Sequence, residues 1–154
     1  MSELFFGAFT VTRRYDARPT RVFAVFADRE IKQRWMGCEA VSAPVIEQLD
    51  FHVGGREISR GGGLDGVEHL FDGRYLDIVP NIRFVFAFVM SVGGRKISAS
   101  LGTVEFTPDG EGTLLTFNEQ GVYFGEDGWA EREEGTAAGL DQLGAWLASQ
   151  GKEA

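Results

Sequence analysis

The sequence predicts an α+β fold, in which one long C-terminal helix crosses a curved antiparallel sheet of about seven strands. Three observations predict it. A strand-like segment comes first and two short helical segments follow it. Closely spaced strand-like segments, separated by glycine-rich turns, fill the middle of the chain, and an apolar stripe at helical spacing occupies its end. Because the central connections are too short for crossover helices, the strands must pair antiparallel.

The first strand and the two short helices are predicted within residues 5–37. Residues 5–15 alternate apolar and polar side chains as a half-buried strand does. Thr20 is expected to cap the first helix. The second helix begins at about Arg29, presents Ile31 and Trp35 on one apolar face and ends at Gly37. Since a surface helix needs no tryptophan in its last turn, we expect Trp35 to point into the interior.

Six more strands and the long helix are predicted from the rest of the chain. The strands are expected at residues 44–50, 56–60, 68–79, 83–90, 97–108 and 113–121. The helical stripe comprises Trp129, Thr136, Leu140, Leu143 and Leu147, and Asp127 is placed to cap its start. A helix with one apolar stripe must lie on one face of the sheet, so we expect a cavity between the two and a single domain over residues 1–154.

Composition and charge exclude several classes of partner. The 154 residues carry a net charge of −8, which repels phosphate backbones and anionic bilayers, so neither nucleic acid nor a membrane is an expected partner. The single Cys38 cannot form an intrachain disulfide. The N-terminal residues lack the basic region and apolar length of a signal peptide, and no apolar run is long enough to span a membrane. A cytoplasmic protein is therefore expected.

No motif indicates a metal, a cofactor or a nucleophile. The two histidines, His52 and His69, have no metal-ligand spacing, although a metal site is conceivable if strand pairing brings them beside Glu68 or Asp72. The glycine clusters do not precede a helix with the Lys-Ser/Thr of a phosphate loop. There is no G-x-S-x-G motif, and Cys38 has no obvious activating partner. We expect no metal and no cofactor.

The clearest candidate site is a row of aromatic side chains on two neighbouring strands. His69, Phe71 and Tyr75 share one face of the strand at residues 68–79, and the next strand presents phenylalanines and a methionine on one face. Such linings suit an adaptable pocket for an apolar or planar ligand, in which His69 and Tyr75 would supply hydrogen bonds. The alternative is that these side chains simply fill the core. The predicted lining is Trp35, His69, Phe71, Tyr75, Phe86, Phe88 and Trp129.

Four polar residues on strands that border the predicted cavity are candidates for directed contacts. They are Arg56, Glu68, Asn118 and Glu119. Because side chains alternate along a strand, only one of Asn118 and Glu119 can face the cavity. A buried carboxylate there could act as a general base, whereas the alternative for each residue is an ordinary solvated position.

The order of elements and five phrases resemble the START-like (SRPBCC) superfamily, which has a helix-grip fold, and within it the branch related to the activator of Hsp90 ATPase homologue 1. The phrases are TVTRRYDARPTRVFAVFADREIKQRWMG (residues 10–37), HVGGREISRG (52–61), FDGRYLDIVPNIRFVFAF (71–88), GTLLTFNEQG (112–121) and GLDQLGAWLAS (139–149). Two positions depart from the family pattern. Met36 stands where a second tryptophan is usual, and Thr136 follows Gly135 where a tryptophan is usual.

The resemblance implies two functions, and a possible cavity carboxylate adds a third from another class. The first is a pocket that binds a small hydrophobic or aromatic ligand, and the missing tryptophan at Thr136 would enlarge or reshape that pocket unless Trp129 compensates for it. The second is a chaperone-associated or stress-related interaction domain. The third is an enzyme of the cyclase or hydrolase type that uses a cavity carboxylate. The sequence leaves these alternatives open, and it also leaves open whether the protein is a monomer or a homodimer.

Overall fold

The computed structural model describes residues 3–37, 44–62 and 66–151. Its elements in chain order are β1 (Leu4–Tyr15), α1 (Pro19–Ala27), α2 (Arg29–Gly37), β2 (Val45–Leu49), β3 (Arg56–Gly62), β4 (Glu68–Val79), β5 (Arg83–Val92), β6 (Arg95–Asp109), β7 (Gly112–Phe124) and α3 (Trp129–Ser149). The seven strands form one antiparallel sheet in the order β1-β7-β6-β5-β4-β3-β2. The predicted α+β, helix-grip fold is confirmed.

Tight turns and bulges shape the sheet. Gly93 and Gly94 both have positive φ angles, 59° and 81°, and form the two-residue turn between β5 and β6. The pairing of β4 with β5 shifts register after Tyr75, and that of β5 with β6 shifts after Met90. Because such bulges bend a strand and increase its twist, they favour the curvature that separates the middle of the sheet from the helix above it.

The long helix α3 is held by hydrogen bonds to β1, which is one edge strand of the sheet, and to α2. The hydroxyl of Tyr15 in β1 donates a hydrogen bond of 2.7 Å to the carbonyl of Leu140. The Nε2 of Gln142 donates to the carbonyls of Trp35 and Met36 at the end of α2, at 2.8 and 2.9 Å. Leu140, Leu143 and Leu147 of α3 are buried, so the apolar half of the helix packs into the core.

Trp35 points into the interior, as its place in the sequence predicts. It is 5% exposed, and its Nε1 donates a hydrogen bond of 3.0 Å to the carbonyl of Val25 in α1. Its ring packs edge-on against Phe26, with ring centres 5.3 Å apart. Trp35 therefore joins both short helices to the core beneath α3.

One predicted helix start is wrong. Helix α1 begins at Pro19, with Arg18 at the N-cap position and no side-chain cap, so Thr20 lies inside the first turn. The reason is that a proline at the first helical position fits the required φ angle and lacks only an N–H that would have no partner there. Asp127 does act near the start of α3, where its Oδ1 accepts a hydrogen bond of 3.1 Å from the backbone N–H of Trp129. None of the three described helices is long and apolar enough to cross a membrane.

Candidate functional site

A cavity of about 340 Å³ lies between the concave face of the sheet and the helices α2 and α3. Eight of its nineteen lining residues are aromatic. On the floor, Phe71 stacks on Phe88 with ring centres 4.9 Å apart, and Phe88 stacks on Phe86 at 5.3 Å. The aromatic lining residues are Phe26, Trp35, Phe71, Tyr75, Phe84, Phe86, Phe88 and Phe117. A space of this size and lining suits a small apolar or planar molecule.

Two glycines explain how the rings lie flat on the floor. Gly102 of β6 pairs with Phe86 of β5, and a Cβ atom at Gly102 would overlap the Phe86 ring. A Cβ atom at Gly73 of β4 would lie 2.9 Å from Cε1 of Phe71. Since glycine leaves the backbone surface bare, both rings can lie against it instead of standing upright and filling the cavity.

The first polar group in the wall is a buried ion pair between α2 and β3. Nζ of Lys32 lies 2.8 Å from both carboxylate oxygens of Glu57, and the two side chains are 11% and 5% exposed. The hydroxyl of Tyr75 donates a hydrogen bond to Oε1 of Glu57. Burial, reinforced by the neighbouring carboxylate, raises the pKa of Tyr75 far above its ordinary value, so this phenol stays protonated and acts as a donor.

The second polar group joins β6 and β7 to α3. Oε2 of Glu119 accepts hydrogen bonds of 2.6 Å from Nη1 of Arg132 and 2.7 Å from the hydroxyl of Ser100, and Nη2 of Arg132 donates to Ser98. The guanidinium also lies over the Tyr123 ring, 4.9 Å from its centre. Burial raises the pKa of Glu119, and the attraction to Arg132 only partly offsets that rise. Oε1 of Glu119 accepts no hydrogen bond from the residues that the structure describes.

Six of the eleven residues predicted for the site lie in the cavity wall. They are Trp35, Phe71, Tyr75, Phe86, Phe88 and Glu119. Glu119 is therefore the member of the Asn118–Glu119 pair that faces inward. Asn118 points to the opposite face of the sheet, where it bonds the hydroxyl of Thr10.

Two predicted aromatic lining residues lie elsewhere. His69 is exposed and borders a second, more open pocket of about 620 Å³, which we call the outer pocket. Trp129 is absent from the cavity wall: its Nε1 donates a hydrogen bond of 2.8 Å to the carbonyl of Phe5, and its ring lies against Gly7 and Tyr123. Because Gly7 has no side chain, the indole lies flat on β1 and does not compensate for the small Thr136.

The two remaining polar candidates form surface ion pairs. Arg56 pairs with Asp72 at 3.1 Å, and Glu68 pairs with Arg60 at 3.0 Å, with all four side chains at least 40% exposed. Arg56 has the opposite parity to Glu57 on β3, so it faces away from the cavity. Within the described ranges, no three His, Cys, Asp or Glu side chains are grouped so that they could hold a metal ion, and Cys38 lies outside those ranges.

Sequence reasoning missed three charged residues in the wall, Lys32, Glu57 and Arg132. A usable signal existed for Glu57, because it alternates with Arg56 and Ile58 on a strand whose neighbour carries Phe71 and Tyr75 at the matching parity. Arg132 sits in an acidic helical segment that reads as a solvated surface. Arg132 reaches Glu119 only because of the way α3 is oriented over the sheet, and this orientation is not evident from the sequence.

Solved structures of similar proteins share this architecture. The Mll3558 protein from Rhizobium loti is 42% identical, with a TM-score of 0.84 and coverage of 93% of this chain and 98% of that one. A protein from Rhizobium leguminosarum is 33% identical, with a TM-score of 0.89 and coverage of 97% and 99%. Protein CV1439 from Chromobacterium violaceum, at 23% identity, a TM-score of 0.79 and coverage of 90% and 95%, shows the same fold.

The sequence itself matches a family over residues 16–148, a range that contains every residue of the cavity wall. No match was found among curated proteins. The match and the fold agree with the resemblance carried by the sequence phrases. The chain belongs to the family described as activator of Hsp90 ATPase homolog 1-like proteins.

Proposed function

We propose that the protein binds a small, uncharged, aromatic or otherwise apolar ligand in the cavity. The observation that carries the proposal is a space of about 340 Å³ walled by aromatic rings, in which both cations already face carboxylates. Trp35, Phe71, Phe86 and Phe88 would contact the ligand, and Tyr75 would help to orient it. A charged ligand would have to compete with these internal ion pairs after losing its own hydration, so the site favours neutral molecules.

Naphthalene and indole are suitable first probes, because both are neutral, planar and small. We expect a saturable change in intrinsic tryptophan fluorescence and a rise in melting temperature, since a ligand that binds the folded state stabilises it. The fluorescence change should be largely lost in Trp35→Phe, because this substitution removes the indole from the cavity wall. It should be kept in Trp129→Phe, because Trp129 lies outside that wall. A protein that melts cooperatively but responds to neither probe would contradict the proposal.

A second candidate function is acid–base catalysis, and the state of Glu119 favours it. This carboxyl is buried, has a raised pKa and keeps one oxygen without a partner among the described residues, which are the properties of a general base. The test is hydrogen–deuterium exchange next to the carbonyl of 2-tetralone in D₂O, followed by NMR. Glu119 would remove the proton and return a deuteron. Exchange equal in wild type and Glu119→Gln would exclude this role.

A third candidate is contact with a chaperone, which family membership suggests. Leu4 pairs with Phe124 at the end of the sheet, and Phe6 follows on the same face with 78% of its surface exposed. Phe6→Ser should then abolish binding to an Hsp90-type chaperone in a pull-down from purified components, whereas cavity variants should not. For any of these functions we propose a cytoplasmic location, which the single cysteine supports because it cannot form an intrachain disulfide, and a monomer or a homodimer as the oligomeric state.

A further inference from the structure

The outer pocket adjoins the cavity and continues it toward solvent. The two spaces share the side chains of Met36, Phe71, Met90, Arg132 and Thr136, which therefore form the boundary between them. Beyond that boundary the wall changes in character. Ser59, His69, Tyr123 and Glu131 contribute polar groups there, whereas the charged groups of the inner cavity pair with one another among its eight aromatic side chains.

Ser59 is the residue of the outer pocket that needs an explanation. It is 4% exposed, and its hydroxyl has no hydrogen-bond partner in the described part of the chain. Buried polar groups nearly always have a partner. The buried Ser98 and Ser100 follow that rule, because they bond Arg132 and Glu119.

The position of Ser59 on β3 directs its hydroxyl to the ligand side of the sheet. Ser59 lies two residues after Glu57, so both side chains are on the concave face. It pairs with Phe71 of β4, whose ring is part of the boundary with the inner cavity. The unpartnered hydroxyl is thus next to the passage between the two spaces.

Charge narrows the kind of group that Ser59 can bind. A hydroxyl both donates and accepts hydrogen bonds, so it suits an uncharged hydroxyl or carbonyl group. Arg132, the cation at the boundary, is already bonded to Glu119 and Ser98 and lies over the Tyr123 ring. It therefore offers little to an anionic ligand.

We propose that the outer pocket is a second subsite, in which the Ser59 hydroxyl binds an uncharged hydroxyl or carbonyl group of an elongated ligand whose aromatic end occupies the inner cavity. This inference rests on the proposed ligand-binding function and extends it. The ligand class becomes a neutral, apolar molecule with an aromatic head and a polar group on a tail, instead of a compact aromatic compound.

The test uses naphthalene and three series of naphthalenes that carry a chain at position 2. The end group of the chain, a methyl, a hydroxyl or a carboxylate, defines the series. Within each series the chain is of ethyl, butyl or hexyl length. Affinities are measured by calorimetry for wild type, Ser59→Ala and the remote control Ser149→Ala. At one chain length, wild type should bind the hydroxyl compound about three- to tenfold more tightly than the methyl compound. Ser59→Ala should lose this preference, and Ser149→Ala should keep it.

A melting curve separates binding from a structural role. Because the Ser59 hydroxyl has no protein partner to lose, Ser59→Ala should melt no lower than wild type. The inference is overturned if naphthalene binds but no chain length favours the hydroxyl compound, if Ser59→Ala keeps the preference, or if the carboxylate compound binds best. If naphthalene itself does not bind, the proposed function fails first and this inference fails with it.

Discussion

Glu119 is the residue whose protonation should be visible in the stability of the whole protein. Burial raises its pKa in the folded state above the ordinary 4.5, so the folded protein holds this proton more tightly than the unfolded chain does. The contribution of Glu119 is therefore complete below pH 4.5 and is lost as the pH rises through the raised pKa. Glu119→Gln keeps a neutral side chain of similar shape at every pH.

We expect the free energy of unfolding of wild type, minus that of Glu119→Gln, to fall as the pH rises, by about 1.4 kcal/mol for each unit by which the pKa is raised. Urea unfolding between about pH 4 and pH 8 measures it, and the subtraction removes the titration of the other carboxylates. A difference that is constant or grows with pH would show that Arg132 outweighs burial at this site.

The Lys32–Glu57 pair should behave as a buried ion pair in a double-mutant cycle. Its two side chains are 11% and 5% exposed, so removing one charge leaves the other buried without a partner. Lys32→Met or Glu57→Gln should each lower the free energy of unfolding by about 3 kcal/mol, and the double variant by clearly less than the sum. The pair Arg83–Asp77, with 45% and 44% exposure, is the matched control and should cost less than about 1 kcal/mol. Equal costs for both pairs would contradict the expectation.

At the scale of single residues, the sequence predicts the aromatic residues of the cavity wall better than its charged residues. Phe71 and Tyr75 could be identified because they share one face of a strand, and Trp35 because a surface helix needs no tryptophan in its last turn. The pairing of Lys32 with Glu57, and of Arg132 with Glu119, could not, because each partner lies on a different element and their meeting depends on how the helices sit over the sheet. Trp129 was misplaced for a related reason, since the bare backbone of Gly7 receives its ring.

Two glycines of helix α3 differ in the space available for a side chain, so alanine substitutions at these positions should affect stability differently. A Cβ atom at Gly139 would meet nothing within 4 Å, whereas one at Gly144 would lie 3.2 Å from Cε1 of Tyr15. Gly139→Ala should raise the free energy of unfolding by about 0.5 to 1 kcal/mol through helix propensity. Gly144→Ala should gain less or lose stability, because the Tyr15 ring is fixed by its bond to Leu140. Urea unfolding of both variants checks the order, and a larger gain at Gly144 would refute it.

The secondary elements were largely predictable from the sequence, including both ends of β4, but several other ends were not. Alternation and glycine turns located all seven strands. The observed β7 nevertheless extends to Phe124, beyond the predicted end at residue 121, because Phe124 pairs with Leu4 of β1. Such an extension depends on a partner more than one hundred residues away in the chain. At α1, the local rule that a proline opens a helix won over the cap expected from Thr20.

For the whole molecule, the open cavity that ligand binding requires lowers the stability of the fold. A folded protein gains from burying apolar surface, and an unfilled space forgoes that gain. The sheet curves away, Gly73 and Gly102 let rings lie flat, and the small Thr136 sits on the helix above them, so several independent features leave the same volume open. Filling that volume with a protein side chain should therefore stabilise the fold and abolish ligand binding together.

Thr136→Trp tests this relation directly, because Thr136 lines both the cavity and the outer pocket. An indole placed there should bury additional apolar area and raise the free energy of unfolding by about 1 kcal/mol, while naphthalene should no longer raise the melting temperature. Ala138→Trp, on an exposed position of the same helix, adds the same ring to the surface and should leave naphthalene binding as in wild type. If Thr136→Trp were stable and still bound naphthalene with wild-type affinity, the ligand would have to occupy some other place on the molecule. If Thr136→Trp instead lowered the free energy of unfolding, the cavity would be too rigid to accept the ring. That result would contradict the expected gain in stability.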